Sequence, residues 1–149
     1  MRDKVFVDSN IFIYAKIKSQ DAEKHIGAQS LLRSFDRQVI ISVQVLNEFY
    51  NTLVRIGVDD AAIQGFLKQI MQSTLTQSIN KSTIELCWEM RNNYHYSYYD
   101  SLILASALES KCTILYSEDM QDGQTIEKTL KIVNPFKIAQ SETTPAPSI

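Results

Sequence analysis

Short apolar segments alternate with amphipathic helical segments along this chain, and that alternation restricts its fold more than any other feature. The segments KVFV, QVII, TILY and LKIV are typical of buried strands, and residues with the i, i+3, i+4 spacing of a helix face lie between them. Strands separated by helices predict a mostly parallel sheet covered on both faces. The expected fold class is α/β, a three-layer α/β/α sandwich with a central, mostly parallel sheet.

Polar residues at strand ends predict where the helices begin. Ser9 or Asn10 is available as the N-cap of the helix after the first strand, and Ser42 as the cap of the helix after the second. Gly57 stands where a left-handed residue would end that helix. The segment YYDSLILASAL is apolar on most sides, which predicts a helix packed centrally in the fold.

A later helix is predicted from a capping box. Ser82 and Glu85 have the S-x-x-E spacing in which each side chain satisfies a backbone N–H of the other. The helix that follows is expected to carry Ile84, Cys87 and Trp88 on its buried face.

The length and composition fit one domain. A chain of 149 residues, 44% apolar and 21% charged, is long enough for one hydrophobic core. Residues 1–138 are predicted to form that domain, and the Ser-, Thr- and Pro-containing segment 139–149 a disordered tail. No apolar run approaches the ~20 residues of a membrane span, and the start lacks a signal-peptide pattern, so a cytoplasmic protein without membrane association is expected. Cys87 and Cys112 lack metal-ligand spacing, which predicts buried, reduced thiols.

The formal net charge of −2 argues against a protein that binds nucleic acid through a general basic surface. Any polyanionic ligand must then be held locally. Bound divalent cations are one means of doing so.

Most of the seventeen acidic residues have ordinary explanations as helix caps or solvated side chains. Four stand apart. Two directly follow or nearly follow strands, one lies in the helix after the second strand, and one opens the apolar helix. The carboxyl ends of parallel strands share one edge of the sheet, so all four can converge there. These residues are Asp8, Asp119, Glu48 and Asp100. For each of them taken singly, helix or turn capping is an alternative explanation.

Four carboxylates at one place require compensation. Two ionised carboxylates ~4 Å apart at an effective dielectric constant near 20 repel by about 4 kcal/mol. The site must then keep some of them protonated or bind cations, and Mg²⁺ or Mn²⁺ matches a donor set of Asp and Glu alone. Such ions lower the pKa of bound water and neutralise the charge that develops on phosphodiester oxygens. His25 and His95 are expected at the surface or in packing, not in catalysis.

Four motifs resemble those of the PIN domain family. VFVDSNIFIY, VLNEF, SYYDSLILASAL and ILYSEDM with the following IVNPF occur in the family's order, with typical spacing, from Val5 to Phe136. The resemblance is to the subgroup similar to VapC-type ribonuclease toxins. It implies a metal-dependent endoribonuclease that uses Mg²⁺ or Mn²⁺ and forms part of a type II toxin–antitoxin pair.

The resemblance also implies roles for particular residues. Asp8, Glu48, Asp100 and Asp119 would be the metal-binding and catalytic carboxylates. Supporting positions match by motif: Asn10 and Ser117 would orient a carboxylate or a metal-bound water, while Glu118 and Asp122 would be outer-shell or secondary ligands.

The implied partners are an RNA substrate, a cognate antitoxin protein that inserts into the acidic groove, and a second copy of the chain in a homodimer. Tyr98 and Tyr99, within a run that also holds Tyr94 and Tyr96, are candidates for stacking on bases, and Arg55 for meeting a phosphate. Ordinary tyrosine packing and a solvated arginine remain open alternatives.

Three other functions are alternatives to a nuclease, and each has its own residue requirements. An aspartyl phosphatase needs a second Asp two residues after the first, and DSN lacks it. A receiver domain needs an acidic pair after the first strand, and Asp8 is single. A PIN-like module that binds RNA or metal without cutting is the remaining alternative, and the complete set of four acids weighs against it.

Overall fold

Six strands form the central sheet in the computed structural model, which describes residues 3–137. The order across the sheet is β3-β2-β1-β4-β6-β5, and every neighbouring pair is parallel except β5 and β6. The mostly parallel α/β sheet expected from the sequence is confirmed. The predicted disordered tail, 139–149, lies outside the described residues. The strands are β1 (Lys4–Val7), β2 (Gln38–Ser42), β3 (Leu75–Gln77), β4 (Ile114–Tyr116), β5 (Thr125–Ile126) and β6 (Leu130–Val133).

Helices connect the parallel strands. Two helices join β1 to β2, two join β2 to β3, and two join β3 to β4, with a short 3₁₀ turn at Lys18–Gln20. The helices are α1 (Ser9–Lys16), α2 (Ala22–Ser34), α3 (Val43–Arg55), α4 (Asp60–Ser73), α5 (Lys81–Tyr94) and α6 (Tyr98–Glu109).

The strand order reverses direction between β1 and β4. The chain steps from β1 to β2 to β3 on one side, then returns to place β4 on the other side of β1. Because such crossovers are right-handed, α1–α4 cover one face of the sheet and α5–α6 cover the other. The contacts agree: α1 packs on α2 and α3, α3 packs on α4, and α5 packs on α6. The point of reversal is where α/β proteins of this kind bind ligands, beyond the carboxyl ends of the strands.

The helix predicted to be central is α6. Its residues from Ser101 to Ala107 are all buried, and it contacts both α5 and β2. A helix with apolar residues on all sides is stable only where other elements cover all of its sides. The first turn, which contains Asp100, is less buried than this middle part of α6.

Several boundary predictions are confirmed. The Ser42 hydroxyl caps α3 by accepting a hydrogen bond from the N–H of Val45 (3.4 Å). Gly57 has φ +89°, the left-handed conformation that glycine adopts without steric cost after a helix. Cys87 and Cys112 are buried free thiols, and burial raises the pKa of each.

Three local predictions were wrong. The N-cap of α1 is Asp8, whose side chain accepts from the N–H of Ser9, so neither Ser9 nor Asn10 is the cap. Helix α5 begins two residues earlier than the proposed Ser82 capping box: its N-cap is Asn80, and the Thr83 hydroxyl accepts from the Asn80 N–H (3.0 Å). Trp88 is 54% exposed instead of buried. The other two positions predicted on the buried face agree with the structure: Cys87 is fully buried and Ile84 is partly buried.

Strand β5 was not predicted. It pairs antiparallel with β6 through a tight turn whose central residues, Glu127 and Lys128, have φ of +49° and +64°. The N–H of Thr129 donates to the carbonyl of Ile126 across this turn (3.1 Å). Two positive φ angles define a type I′ hairpin, which is usually signalled by Asn-Gly. Glu-Lys carries no such signal.

The revised face of α5 generates a stability prediction. Met90 is fully buried in the main core, whereas Trp88 lies mostly in solvent on the same helix. We expect Met90→Ala to lower the free energy of unfolding by about 2–5 kcal/mol, because it leaves a cavity. Trp88→Ala should change it by no more than about 0.5 kcal/mol. Urea unfolding monitored by circular dichroism measures both, and a larger loss for Trp88→Ala would contradict this placement of the helix.

Candidate active site

Asp8 lies where the carboxyl ends of β1 and β4 meet. Its backbone N–H donates to the carbonyl of Tyr116 (3.0 Å), which continues the pairing of the two strands. One carboxylate oxygen accepts from the N–H of Ser9 (2.7 Å), and the other accepts from the hydroxyl of Ser117 (2.8 Å). Asp8 therefore caps α1 and also ties the end of β1 to the end of β4.

Burial controls the ionisation of Asp8. The residue is 2% exposed, and this burial raises the pKa of its carboxyl from 3.8 to about 7. The hydrogen bonds from Ser117 and Ser9 lower the pKa, while the charges of Glu48 and Asp119 raise it. Desolvation is thus a larger cause than the mutual repulsion on which the sequence argument relied.

Asp119 is held at the same edge by two polar residues. Its backbone N–H donates to the hydroxyl of Ser117 (3.2 Å), and its carboxylate accepts from the side-chain amide of Asn10 (3.0 Å). Ser117 is fully buried, so one hydroxyl links Asp119 to Asp8. The positions of Asn10 and Ser117 are compatible with the orienting roles that the resemblance implies, and those roles remain predictions.

Glu48 approaches this network from α3. The hydroxyl of Ser9 donates to one oxygen of its carboxylate (3.2 Å), and the amide of Gln44, one turn earlier on α3, donates to the other (3.1 Å). Because Ser9 contacts both Asp8 and Glu48, it joins the strand-end acids to the helix acid.

Asp100 lies half-buried in the first turn of α6. Its N–H donates to the hydroxyl of Ser97, the N-cap of that helix (3.2 Å). Burial raises the pKa of Asp100, and the charges of Asp119 and Glu48 raise it further, against a lowering effect of Ser97. Asp100 therefore feels the field of the other acids, although it is joined to them by no hydrogen bond that the structure describes.

The four acids lie at one edge of the sheet without forming a closed cluster. Within residues 3–137, no three acidic, histidine or cysteine side chains are close enough together to hold a metal ion. Hydroxyl and amide groups of the neighbouring residues lie between the carboxylates. The donor set itself is made of oxygens, which fits Mg²⁺ or Mn²⁺ by its chemistry, and a cation would favour the ionised form of acids whose pKa is raised. Metal binding remains a prediction.

The two secondary acids have partners outside this network. Glu118 forms a salt bridge with Lys24 (2.7 Å) and accepts from the hydroxyl of Tyr14 (2.6 Å). Asp122 accepts from the backbone N–H of Asn134 (2.8 Å). Both carboxylates stabilise the loop after β4, and their predicted role as outer ligands stays untested.

The candidate RNA-contact residues are accessible. Arg55 is exposed at the end of α3, seven residues after Glu48 and so on nearly the same helix face. Tyr99 is 64% exposed, and its ring meets that of the half-buried Tyr98 edge to face, with centroids 5.4 Å apart.

Sequence reasoning missed two members of the network, Ser9 and Gln44. The sequence around Ser9 indicates only a helix cap. Its contact with Glu48 joins residues thirty-nine positions apart, and no local pattern indicates such a contact. Gln44 precedes Glu48 by four residues on one helix, and that i, i+4 spacing of an amide and a carboxylate was a usable signal.

Cavity size alone does not locate this site. A cavity of about 620 Å³ lies at the opposite edge of the sheet, around Lys4 and Gln38 at the amino-terminal ends of β1 and β2, and contains none of the four acids. A cavity of about 470 Å³ borders Glu48. The position of the acids beyond the strand carboxyl ends is the stronger indication of function.

The family follows from a direct comparison. The model of the PIN domain family matches residues 5–121. The protein therefore belongs to the PIN domain family. A search of curated proteins finds no match to this chain.

Solved structures with the same fold include bacterial toxins. VapC20 from Mycobacterium tuberculosis, described as a sarcin-ricin loop cleaving toxin, is 22% identical, with 77% of this chain and 91% of that chain covered and a TM-score of 0.65. A chain of a toxin–antitoxin complex from Klebsiella pneumoniae is 19% identical, with 88% and 97% covered and a TM-score of 0.66. A chain of VapBC2 from Rickettsia felis, bound to a promoter DNA fragment, is 16% identical, with 88% and 99% covered and a TM-score of 0.63. At these identities the likeness concerns the fold.

The part of the chain from residue 3 to residue 137 contains no helix long and apolar enough to cross a membrane.

The raised pKa of Asp8 predicts a pH-dependent stability. In the unfolded chain Asp8 loses its proton near pH 3.8, whereas the folded protein keeps it to about pH 7, so folding loses stability as the pH rises between these values. The difference corresponds to at most about 4 kcal/mol. In EDTA, Asp8→Asn should match the wild type near pH 4 and exceed its free energy of unfolding at pH 8, as measured by urea titration.

The control for this experiment is Asp59→Asn, which makes the same change at the exposed N-cap of α4. Asn caps a helix about as well as Asp does, so both variants keep their caps. A lower free energy of unfolding for Asp8→Asn than for the wild type at pH 8, with equal values at pH 4, would contradict the prediction and show that the charged Asp8 is the stabilising form.

Proposed function

We propose that this protein is a divalent-metal-dependent endoribonuclease, the toxin of a type II toxin–antitoxin pair, which cleaves RNA phosphodiester bonds with a metal-activated water. Asp8, Glu48, Asp100 and Asp119 are the proposed catalytic and metal-binding residues, and Mg²⁺ or Mn²⁺ is the proposed cofactor. Membership of the PIN domain family supports the reaction class.

One observation carries the proposal. The hydroxyl of Ser117 joins Asp8 to Asp119 at the strand reversal. Ser9 joins Asp8 to Glu48, because its backbone N–H donates to Asp8 and its hydroxyl donates to Glu48. Capping alone explains the contact of Asp8 with Ser9. It does not explain why Glu48 and Asp119 are both linked to Asp8, the first through Ser9 and the second through Ser117. Burying a carboxylate among other acids costs free energy, and residues with that cost are concentrated at functional sites.

A divalent ion, when bound, supplies the acidity that makes water nucleophilic near neutral pH and the positive charge that offsets the phosphodiester. The protein residues position the reaction. Ser117, Asn10, Ser9 and Gln44 fix the orientations of three carboxylates through hydrogen bonds, which reduces the reorganisation needed when the substrate binds. No histidine is required as a base.

The RNA contacts are proposed to follow α3 and the start of α6. Arg55 lies two turns beyond Glu48, about 10 Å along the helix axis, where its guanidinium can meet a neighbouring phosphate. Tyr98 and Tyr99 are proposed to contact bases through their rings. Since the net charge is −2, affinity for RNA depends on these local contacts and on the cation.

The proposed protein partners are a cognate antitoxin and a second copy of this chain. Toxin–antitoxin complexes occur among the structures with the same fold, which supports the antitoxin. The homodimer rests on the family resemblance. The proposed location is the cytoplasm, where RNA and an antitoxin would be available.

A second candidate function is a PIN-like module that binds RNA or metal without cutting. The RNA-binding form of this module is favoured by the absence, among residues 3–137, of three ligand-type side chains close enough to hold an ion. Assays of RNA cleavage and RNA binding distinguish the two functions.

Cleavage of RNA tests the proposal directly. We expect the purified protein to cut RNA with Mg²⁺ or Mn²⁺ and to stop in EDTA. Asp100→Asn should lower the cleavage rate by about a hundredfold or more, because it removes a carboxylate next to the reacting bond. Gel analysis of end-labelled RNA measures the rate, and cutting that continues in EDTA would contradict the metal mechanism.

Asp59→Asn is again the matched control, because it changes an exposed aspartate at a helix start outside the acidic network. It should cleave at the wild-type rate. If the wild type binds RNA in the presence of metal and releases no fragments from structured or unstructured RNA, the binding module is the correct function.

Metal binding has a separate readout. Mn²⁺ should raise the melting temperature of the wild type, because a ligand that binds only the folded state stabilises it. The increase should be much smaller in Asp8→Asn and unchanged in Asp59→Asn. Equal increases in all three proteins would exclude Asp8 as a ligand.

A further inference from the structure

Asp100 and Asp119 lie on separate segments, and no hydrogen bond that the structure describes within residues 3–137 joins their side chains. Asp119 is held towards β1 and α1 by Ser117 and Asn10. Burial raises the pKa of Asp100, and the charge of Asp119 raises it further, so the two carboxylates repel each other. Repulsion separates such a pair unless another contact holds the start of α6 next to the loop after β4, residues 117–124.

Tyr96 makes this contact through its side chain. Its hydroxyl accepts a hydrogen bond from the backbone N–H of Gln121 (3.0 Å) and donates one to the side-chain carbonyl of Gln124. These are the two hydrogen bonds that the structure describes between residues 95–100 and the loop after β4. Gln121 comes two residues after Asp119 in that loop. The ring of Tyr96 packs against the main core, which limits the positions that the hydroxyl can take.

The backbone of Tyr96 is fixed relative to Asp100. Its carbonyl accepts a hydrogen bond from the guanidinium of Arg91 on α5 (2.7 Å). The next residue, Ser97, caps α6, and its hydroxyl accepts from the N–H of Asp100 (3.2 Å). Tyr96 is therefore attached both to the helix start that carries Asp100 and to the loop that carries Asp119. A phenol hydroxyl that donates and accepts makes this link without adding charge to the site.

We propose that Tyr96 is a positioning residue, which holds Asp100 near Asp119 so that one divalent cation can serve both carboxylates. This inference rests on the proposed function, because that function assigns both acids to the metal site. Tyr96 acts through the two segments that it joins and contacts neither the ion nor the RNA. Its role differs from that of Tyr98 and Tyr99, whose rings are the proposed contacts with bases.

Tyr94 offers a matched control. Its hydroxyl also accepts from a backbone N–H and donates to a side chain, both of Glu127 (2.9 and 2.7 Å). Glu127 lies in the turn between β5 and β6, eight residues after Asp119. Tyr96→Phe and Tyr94→Phe each remove one hydroxyl and keep the ring, so in EDTA both should lower the melting temperature by a similar amount, about 2–5 °C. A difference between them in metal binding then has a cause other than general loss of stability.

The affinity for Mn²⁺, measured by isothermal titration calorimetry, is the first readout. Tyr96→Phe should bind Mn²⁺ about tenfold more weakly than the wild type, as expected for a residue that orients metal ligands, and Tyr94→Phe should differ by no more than about twofold. Equal affinities in the two variants would overturn the proposal.

The dependence of RNA cleavage on Mn²⁺ is the second readout. Cleavage by Tyr96→Phe should fall about tenfold at low Mn²⁺ and return to within about threefold of the wild-type rate at saturating Mn²⁺, with the KM for RNA unchanged, because every ligand is still present. Asp100→Asn, which lacks a ligand, should not recover. Cleavage by Tyr96→Phe that stays low at saturating Mn²⁺ would contradict a positioning role.

Amide hydrogen exchange in EDTA tests the link without metal and without RNA. The amides of Asp119 and Gln121 should exchange about tenfold faster in Tyr96→Phe than in the wild type, because the loop opens more easily once its contact with the start of α6 is lost. In Tyr94→Phe these two amides should exchange at the wild-type rate. Unchanged exchange in Tyr96→Phe would show that its hydroxyl does not hold the loop.

Failure of this inference is distinguishable from failure of the proposed nuclease. If Tyr96→Phe alone weakens Mn²⁺ binding and the wild type cuts no RNA, the positioning role stands and the nuclease function is wrong. If the wild type cuts RNA and Tyr96→Phe binds Mn²⁺ as tightly as the wild type does, the nuclease stands and the positioning role is wrong.

Discussion

The hydrogen bond between Ser117 and Asp8 is the contact around which the candidate site is organised. It joins the ends of two adjacent parallel strands at the place where the strand order reverses. Asp8 sets the start of α1, which carries Ser9 and Asn10 into the same space, and Ser117 receives the N–H of Asp119. The positions of Asp119 and Glu48 are therefore defined relative to this pair. A parallel sheet with helices on both faces provides one such place, beyond the strand carboxyl ends.

The choice between capping and a functional acid turns out not to be exclusive. Asp8 is a helix cap, and its pKa of about 7 shows that burial there disfavours the charged form. An Asn or Ser would cap the helix without that penalty. The carboxylate is thus more than capping requires. Capping does not account for Glu48 either, because it lies within a helix where no cap is needed.

The fold was largely predictable because its signals are local. Four of the six strands, the central helix and the Gly57 boundary follow from hydrophobic periodicity and turn chemistry in short windows of sequence. Strand β5 was missed because Glu127 and Lys128 adopt positive φ angles without glycine or asparagine, which only the pairing with β6 imposes. Trp88 was misplaced because it directly follows Cys87: adjacent helix positions point 100° apart, and the buried side of α5 holds Thr83, Cys87 and Met90.

The sequence by itself determined the alternation of strands and helices, and with it the edge at which Asp8, Glu48, Asp100 and Asp119 lie. The tertiary structure decided how these acids are held. It paired Glu118 with Lys24 and Tyr14, and it placed Ser9 and Gln44 against the carboxylate of Glu48. Hydrogen bonds between residues tens of positions apart depend on the distances set by packing helices on a sheet. Such distances leave no periodic trace in the sequence, whereas burial of an apolar face does.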